Sequence, residues 1–348
     1  MLSPLRKNQS DMEWFFDLSH DELKECLKNI GVKEFVSIQL SSWILAKNVL
    51  DPAGWRNISS ENRKRLSENI DFTLNKVIRT DSDPSATRKF LIGLNDGNRI
   101  ESVLIPEKNH YTFCVSSQVG CALGCRFCAT GNLGFKRDLS AGEIISQVLI
   151  MKRELSGYTG KINLVFMGMG EPLLNYVNLK KALGRLTDDK GVAISPRRIT
   201  VSTAGILKNL RKLESDFPNI KISFSLNSAD NTQRLKLMPV AKKESLDSII
   251  EYFRATRRRH RITFEYVLID GINDSLADAD KVARLLKSIP SKINLIPYNP
   301  VGFADFSTPS VSRVDGFAEF LAQRGYTVMV RWSKGKDIRS ACGQLAGE

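Results

Sequence analysis

The sequence predicts an α/β protein in which helices cover a parallel sheet. From about residue 112 onward, strand-like runs alternate with helical patterns, the runs being YTFCVS, KINLVFMG, RRITVSTAG, IKISFSLN, RITFEYVLID, KINLIPYN and YTVMVRW. Alternation of this length is typical of βα units, which build either a barrel or an open sheet. Polar residues cluster directly after these strands: Gly168 to Glu171, Ser202-Thr203, Asn227-Ser228 and Asn299. In a barrel they line the mouth where active sites lie.

The region before this alternation has a different pattern of apolar and polar residues. Ser19 is an N-cap with Glu22 three positions on, which predicts a helix that stops at Gly31. A second helical pattern covers residues 59 to 79, and alternating residues on both sides of Asn95-Asp96-Gly97 predict a hairpin. We therefore expect a helical accessory domain over 1–80 that is a candidate for RNA binding, a hairpin or linker over 81–106, and an α/β core over 107–348.

Composition narrows the class of protein. The 348 residues are 42% hydrophobic and 26% charged, as expected of a chain that buries a sizeable core. No apolar run is long enough to span a membrane, and the N-terminus lacks the apolar stretch of a signal peptide, so we expect a cytoplasmic protein. Its thiols are then metal ligands or catalysts rather than a structural disulfide set. The net charge of +13 favours a nucleic-acid partner over the alternative of a merely basic protein.

Three of the six cysteines, Cys121, Cys125 and Cys128, lie within eight positions on a glycine-containing loop. Three thiolates do not complete a tetrahedral zinc site, and the one histidine nearby is His110. A cubane 4Fe-4S cluster usually takes four cysteines, so three leave one iron open for another ligand. The spacing favours an iron-sulfur site, with zinc as the alternative.

This spacing, with Phe127 before the third cysteine, resembles the motif of the radical S-adenosylmethionine superfamily. The stretch FMGMGEP (166–172) resembles the superfamily loop that holds the amino group of the cofactor. Three further motifs resemble those of the RlmN and Cfr branch, which methylates adenine in RNA: CVSSQVGCALGCRFCATG, INLIPYNP and DIRSACGQLAG. The resemblance runs from Glu101 to Leu345 and is weak over 1–80. It implies a partial (β/α)6 barrel, a 4Fe-4S cluster on the three cysteines, and S-adenosylmethionine.

The resemblance also gives roles to three residues outside the cluster loop. Cys342, in the motif ACGQ, would be methylated first and would carry the methyl group to adenine. Cys114 would release the product by attacking the sulfur of Cys342, which forms a disulfide between them. Glu101 would accept a proton. The alternatives are two buried thiols for the cysteines and an exposed strand residue for Glu101.

Contacts to S-adenosylmethionine carry over by the same match. Asn227 stands where the family usually has histidine, and an amide cannot be protonated in its place. The implied contacts are Gly170 and Glu171 for the amino group, Ser202 with Ser225, Leu226 and Asn227 for the ribose and carboxylate, and Asn299 for the adenine or its ribose.

The resemblance implies as substrates 23S rRNA, in its peptidyl-transferase loop, and some tRNAs, at the purine next to the anticodon. Pro172 in GEPLLN favours methylation at carbon 2 of adenine, with the carbon-8 chemistry of the Cfr type as the alternative. The basic runs RATRRRHR (254–261) and SPRR (195–198) are candidates for phosphate contacts, the alternative being solvated helix ends. We expect a monomer that receives electrons from a donor such as a flavodoxin. A radical enzyme with a small substrate and a non-catalytic RNA-binding module are the rival functions.

Overall fold

A ten-stranded sheet is the centre of the computed structural model, which describes residues 12–239, 244–335 and 337–348. The first eleven residues of the predicted accessory domain lie outside this range. The strands are β1 Glu13–Trp14, β2 Ile70–Asp71, β3 Lys76–Ser82, β4 Arg88–Gly93, β5 Arg99–Glu107, β6 His110–Cys114, β7 Gln118–Gly120, β8 Phe135–Asp138, β9 Lys161–Phe166, β10 Ile199–Thr203, β11 Lys221–Ser225, β12 Ile262–Leu268, β13 Ser291–Pro297 and β14 Thr327–Val330.

Helices fill most of the connections between these strands. They are α1 His20–Asn29, α2 Val36–Ser41, α3 Ser60–Asn69, α4 Ala129–Asn132, α5 Ala141–Glu154, α6 Tyr176–Thr187, α7 Leu207–Asp216, α8 Asn231–Leu237, α9 Leu246–Ala255, α10 Leu276–Leu285 and α11 Val311–Gln323. A π-helical turn, Ser42–Ala46, follows α2, and short 3-10 turns occur at Phe15–Asp17, Pro52–Gly54 and Pro196–Arg198. No helix in the described ranges is long and apolar enough to cross a membrane.

The parallel sheet predicted from the βα alternation is confirmed. Its order is β14-β13-β12-β11-β10-β9-β6-β5-β4-β3, and β6 and β9 to β14 pair in parallel. Six of these strands form the expected (β/α)6 series, and β14 adds a seventh beside β13. Strands of a covered parallel sheet are rich in apolar residues. In β12 and β13 these include Phe264, Tyr266 and Leu295, which are fully buried in the core.

An antiparallel extension of the sheet, β3 to β5, precedes the parallel strands. The hairpin expected at Asn95-Asp96-Gly97 joins β4 to β5. The helix expected over 59–79 is wrong in its second half: α3 ends at Asn69, and Lys76–Ser82 forms the edge strand β3. The physical reason is local. Asp71 accepts hydrogen bonds from the backbone N–H and hydroxyl of Thr73, which turns the chain, and the β-branched run Val77-Ile78 suits a strand.

The N-terminal helices pack onto the barrel rather than standing apart. Ser19 and Glu22 form the predicted capping box at the start of α1. Phe15 and Phe16 are fully buried in the same core as the barrel helices. The carboxylate of Asp17 accepts a hydrogen bond of 2.7 Å from the N–H of Gly142, in the first turn of α5. This helical region is therefore fixed to α5, on the outside of the sheet.

Candidate active site

A cavity with about 1120 Å³ of empty space, its open mouth included, lies at the carboxyl ends of the parallel strands. Of the thirteen site residues predicted from the sequence, ten line it: Cys121, Cys125, Cys128, Gly170, Glu171, Ser202, Ser225, Asn227, Asn299 and Cys342. The other three, Glu101, Cys114 and Leu226, are buried outside its lining. Residues separated by more than 200 positions thus meet at one edge of the sheet, where a parallel barrel carries its active site.

The cysteine loop connects β7 to α4, and one glycine permits its path. Gly120 has φ +73°, and a Cβ there would lie 1.8 Å from the carbonyl oxygen of Gly134. The N–H of Cys121 donates to that same carbonyl at 2.9 Å. No larger residue fits between the loop and β8, so Gly120 fixes where the first cysteine enters the cavity.

The three loop thiols suit an iron-sulfur cluster. All are free, and burial raises the pKa of Cys121 to about 12 and the pKa values of Cys125 and Cys128 above their usual range. Thiolates are the soft ligands that bind iron in such clusters. Within the described ranges, no three side chains converge on a single metal ion. A 4Fe-4S cluster does not require such convergence, because each thiolate binds its own iron.

The loop after β9 is locked in place beside the cysteines. Gly170 has φ +99°, and a Cβ there would lie 2.5 Å from the Cβ of Gln118. The side-chain oxygen of Gln118 accepts the N–H of Glu171 at 2.8 Å. The Glu171 carboxylate accepts the N–H groups of Leu173 and Ala204, and burial raises its pKa to about 7. A buried carboxylate at this position suits an ammonium group as its partner.

Asn227, the departure from the family pattern, is held by the protein itself. Its φ is +57°, a left-handed conformation that asparagine tolerates better than most residues. Its side-chain oxygen accepts the N–H of Val267 at 2.9 Å, and its amide nitrogen lies 3.2 Å from the sulfur of Met238. Leu226 beside it is wholly buried in the core. The Asn227 side chain therefore ties β11 to β12, while Asn227 also forms part of the cavity wall.

Asn299 has one free polar atom in the cavity. Its side-chain nitrogen donates to the hydroxyl of Ser333 at 2.9 Å and to the carbonyl of Cys342 at 3.2 Å. Its side-chain oxygen is buried and has no hydrogen-bond partner in the described part of the chain. A buried acceptor without a partner is costly, so this atom is suited to a ligand hydroxyl or amine.

The C-terminal segment brings Cys342 to the cavity. The carbonyl of Gly343 accepts the N–H of Ala129 at 2.6 Å, and the carbonyl of Leu345 accepts the hydroxyl of Thr130 at 2.7 Å. Both donors belong to the first turn of α4, directly after Cys128. The segment is thus bound to the cysteine loop itself.

Cys342 and Cys114 are two free thiols with different exposures. Cys342 is exposed on the cavity wall, where desolvation, with the Glu265 carboxylate adding to it, raises the pKa of its thiol to about 11. Cys114 is buried at the end of β6, and burial followed by the charge of Cys342 raises its pKa far above the usual value. The alternative of two buried thiols is wrong for Cys342. No disulfide joins any of the six cysteines, all of which are described.

Glu101 lies on β5 beneath the C-terminal segment. The alternative of an exposed strand residue is wrong, because Glu101 is 1% exposed. Its carboxylate forms a buried ion pair with Lys89 at 2.9 Å and accepts the N–H groups of Ala346 and Gly347 at 2.7 and 3.1 Å. In this structure Glu101 therefore anchors the segment that carries Cys342.

Sequence reasoning missed Arg234, Glu265 and Arg331. Arg234 on α8 is fully buried, and its guanidinium donates to the carbonyls of Ala204, Ser225 and Leu226 at the ends of β10 and β11. Glu265 and Arg331 line the cavity near Cys342. A charged residue inside the apolar run RITFEYVLID was the available signal for Glu265.

Comparison with known proteins agrees with this geometry. A family model for the radical SAM superfamily matches residues 115–286, and a model described as the N-terminal domain of ribosomal RNA large subunit methyltransferases matches residues 15–71. A dual-specificity RNA methyltransferase RlmN from Solidesulfovibrio magneticus is 42% identical over 95% of this chain and 96% of its own length. The chain belongs to the RlmN family of RNA methyltransferases.

A second curated relative and a solved structure support the match. The RlmN protein of Syntrophobacter fumaroxidans is 42% identical over 95% of this chain and 97% of its own. The crystal structure of a radical SAM methyltransferase from Sphaerobacter thermophilus superposes with a TM-score of 0.92 at 37% identity, covering 97% of this chain and 100% of that one. The fold is therefore that of a radical SAM enzyme. A 4Fe-4S cluster and S-adenosylmethionine are the cofactors that this family implies.

Proposed function

We propose that this enzyme methylates carbon 2 of an adenosine in 23S rRNA, with Cys342 as the methyl carrier and Cys114 as the thiol that releases the product. The observation that carries the proposal is the shared cavity: the exposed thiol of Cys342 and the three free loop thiols line the same space. The curated relatives are named as dual-specificity RNA methyltransferases, which supports an RNA substrate.

The chemistry of the target explains the need for a carrier. Carbon 2 of adenine is electron-poor and has no lone pair, so it does not displace a methyl group from a sulfonium. When bound, the cluster supplies the electron that splits S-adenosylmethionine into methionine and a 5′-deoxyadenosyl radical. Before that, the thiolate of Cys342 attacks the methyl group of a first S-adenosylmethionine as a nucleophile, which releases S-adenosylhomocysteine, so that two molecules of S-adenosylmethionine are used. That methyl group then gives up a hydrogen atom to the 5′-deoxyadenosyl radical, and its carbon adds to carbon 2 of adenine, which joins protein and RNA covalently. The adduct radical must lose one electron, for which the cluster would be the acceptor, and the proton on carbon 2 leaves to a base, the role proposed for Glu101.

Release of the product requires the carbon–sulfur bond to break. The thiolate of Cys114 attacks the sulfur of Cys342, the methylated base leaves, and a disulfide forms between the two cysteines. The disulfide belongs to turnover, since both thiols are free in the structure. Reduction by an external thiol restores the enzyme. The elevated pKa of Cys114 calls for a proton acceptor before its attack.

The remaining cavity residues would hold the cofactor. Gly170 and Glu171 would bind the amino group, Ser202 and Ser225 the ribose and carboxylate, and the free oxygen of Asn299 the adenosyl portion. Cys121, Cys125 and Cys128 would ligate the cluster. Because its amide is used within the protein, we assign Asn227 a role in shaping the wall beside the cofactor.

The position of Glu101 gives a test of its proton-acceptor role. Replacing Glu101 with Gln leaves Lys89 charged and buried without its closest partner, which costs about 3–5 kcal/mol. The double variant Lys89→Met/Glu101→Gln removes both charges, so urea unfolding is expected to show that most of this stability returns. If Glu101 accepts a proton, methylation stays lost in the double variant. Recovery of methylation would instead assign Glu101 to anchoring the C-terminal segment.

We further propose a monomer that works in the cytoplasm, takes electrons from a donor such as a flavodoxin, and also methylates some tRNAs at the purine beside the anticodon. The N-terminal helices are the candidate accessory domain for RNA, since their family model is described from ribosomal RNA methyltransferases.

Nucleoside mass spectrometry of separated rRNA and tRNA tests the substrate and the carbon together. Cells with and without the gene are compared, and 2-methyladenosine is expected to disappear from both RNA pools when the gene is deleted. Loss from rRNA alone would remove tRNA from the proposal. Loss of 8-methyladenosine instead would favour the carbon-8 alternative, and no change in any methyladenosine would overturn the proposed function.

A further inference from the structure

The edge of the sheet opposite the cavity carries a concentration of positive charge. The basic runs 195–198 and 254–261 both end at the start of a parallel strand, β10 and β12. The amino ends of parallel strands lie at the same edge of a sheet. These runs therefore lie at the same edge as the cations found at the start of β11 and β13. We call this surface the basic edge and define it by Arg197, Arg198, Lys221, Arg259, Arg261 and Lys292.

Three cations of the basic edge, Lys221, Lys292 and Arg198, lie close enough to affect one another. The pKa of Lys221 is lowered, first by burial and then by the positive charges of Lys292 and Arg198. Within the described ranges, no carboxylate forms an ion pair with any of the six; Arg198, Arg259 and Arg261 donate instead to neutral side-chain oxygens. Like charges held together without counter-ions cost free energy, so their proximity suits an anionic partner.

Arg258 shows the contrast within the same run. Its guanidinium pairs with Glu214 and donates to the carbonyls of Phe253 and Thr256 at the end of α9. Arg258 is thus a structural cap at the end of α9, and its side chain is largely buried rather than solvated. Its neighbours Arg257 and Arg259 are exposed and form no such ion pair with any residue of the described ranges.

The distance across the sheet decides which partner fits. The seven residues of β12 span about 20 Å from the basic edge to the cavity. An electron donor has to approach the cluster cysteines, which lie at the far edge, so an acidic reductase is a poor fit here. An RNA larger than its target loop carries phosphates on its flanking helices, well away from the reacting base.

We propose that the basic edge is a second RNA-docking surface, which binds phosphates of the helical regions that flank the target loop. This proposal rests on the proposed function, because it takes folded RNA to be the substrate. It predicts that this edge contributes affinity for a large folded RNA and none for the isolated loop, because phosphate contacts add affinity without reading sequence.

The test compares two triple variants that remove the same charge. Arg197→Gln/Lys221→Gln/Arg259→Gln neutralises the basic edge, and Lys180→Gln/Lys281→Gln/Arg284→Gln neutralises three surface cations that already have acidic partners. Equilibrium binding of the cluster-loaded protein is measured by fluorescence anisotropy over a range of KCl concentrations. The probes are a 23S rRNA fragment that contains the peptidyl-transferase loop with its flanking helices, and the loop hairpin alone.

The basic-edge variant is expected to bind the long fragment at least about ten-fold more weakly, and its log–log salt slope is expected to fall by about 2, since each phosphate contact contributes 0.7–0.9. Hairpin affinity is expected to match the wild type, and the control variant is expected to retain affinity for both RNAs. An equal loss of affinity for both RNAs, or no loss of affinity for either, overturns the proposal. Unchanged RNA affinity with slower turnover on a flavodoxin donor also overturns it, in favour of an acidic protein partner.

Binding is measured independently of the product. Wild-type protein that prefers the long fragment but forms no methyladenosine would refute the proposed reaction and leave the docking surface standing.

Discussion

Replacing Cys342 with alanine is expected to reduce methylated adenosine to the background of a no-enzyme control. No other described cysteine combines exposure with a place on the cavity wall, so no second thiol takes over as methyl carrier. Iron and sulfide content is expected to stay at about four each per chain, since the three loop cysteines are unchanged. Nucleoside mass spectrometry and iron analysis of the same preparation check both statements.

Cys26→Ala is the matched control for this variant. Cys26 lies in α1, outside the cavity lining, and its replacement is expected to leave methylation near the wild-type level. Product formation by Cys342→Ala at a comparable rate would contradict the thiol-carrier mechanism. Loss of iron from Cys342→Ala would show instead that the C-terminal segment is needed to hold the cluster, because that segment is hydrogen-bonded to α4.

Replacing Cys114 with alanine is expected to trap the protein on its RNA. The variant keeps Cys342 and the cluster ligands, so methylation of Cys342 and attack on adenine proceed, but no thiolate arrives to break the bond between them. A covalent, nuclease-sensitive protein–RNA band on a denaturing gel is the expected result, at up to one RNA per protein. Multiple turnovers by Cys114→Ala would remove the release role from Cys114.

Two further variants sharpen this test. Cys114→Ser keeps a similar shape at the end of β6 but has a far weaker nucleophile, so it is expected to form the same adduct. The double variant Cys114→Ala/Cys342→Ala is expected to form none, because the adduct is attached through the sulfur of Cys342. An adduct in the double variant would place the attachment on another residue.

The barrel and the cluster loop could be predicted because their signals are local. Alternation of strand-like and helical runs dictates a parallel sheet, and the spacing of Cys121, Cys125 and Cys128 lies within one loop. The capping box at Ser19 and the hairpin at Asn95-Asp96-Gly97 were predictable for the same reason.

Contacts between distant segments could not be read in this way. The hydrogen bonds from the N–H groups of Ala346 and Gly347 to Glu101 join positions more than 200 apart, and no periodicity encodes them. In the sequence, Asn227 was a cofactor contact that had lost the histidine usual in the family. In the structure, its side-chain oxygen accepts a hydrogen bond from the N–H of Val267 on β12. The run 254–261 was visibly basic, but only the topology places it at the edge opposite the cavity.

Isotope transfer from Cys342 to adenine shows whether this thiol carries the methyl group. Enzyme whose Cys342 carries a trideuterated methyl group is given unlabelled S-adenosylmethionine, reductant and 23S rRNA under anaerobic conditions, and a single turnover is analysed by mass spectrometry. We expect 5′-deoxyadenosine with one deuterium and 2-methyladenosine whose methyl group retains two. An unlabelled methyl group on adenine would contradict this expectation, because the methyl group would then have reached the base without passing through Cys342.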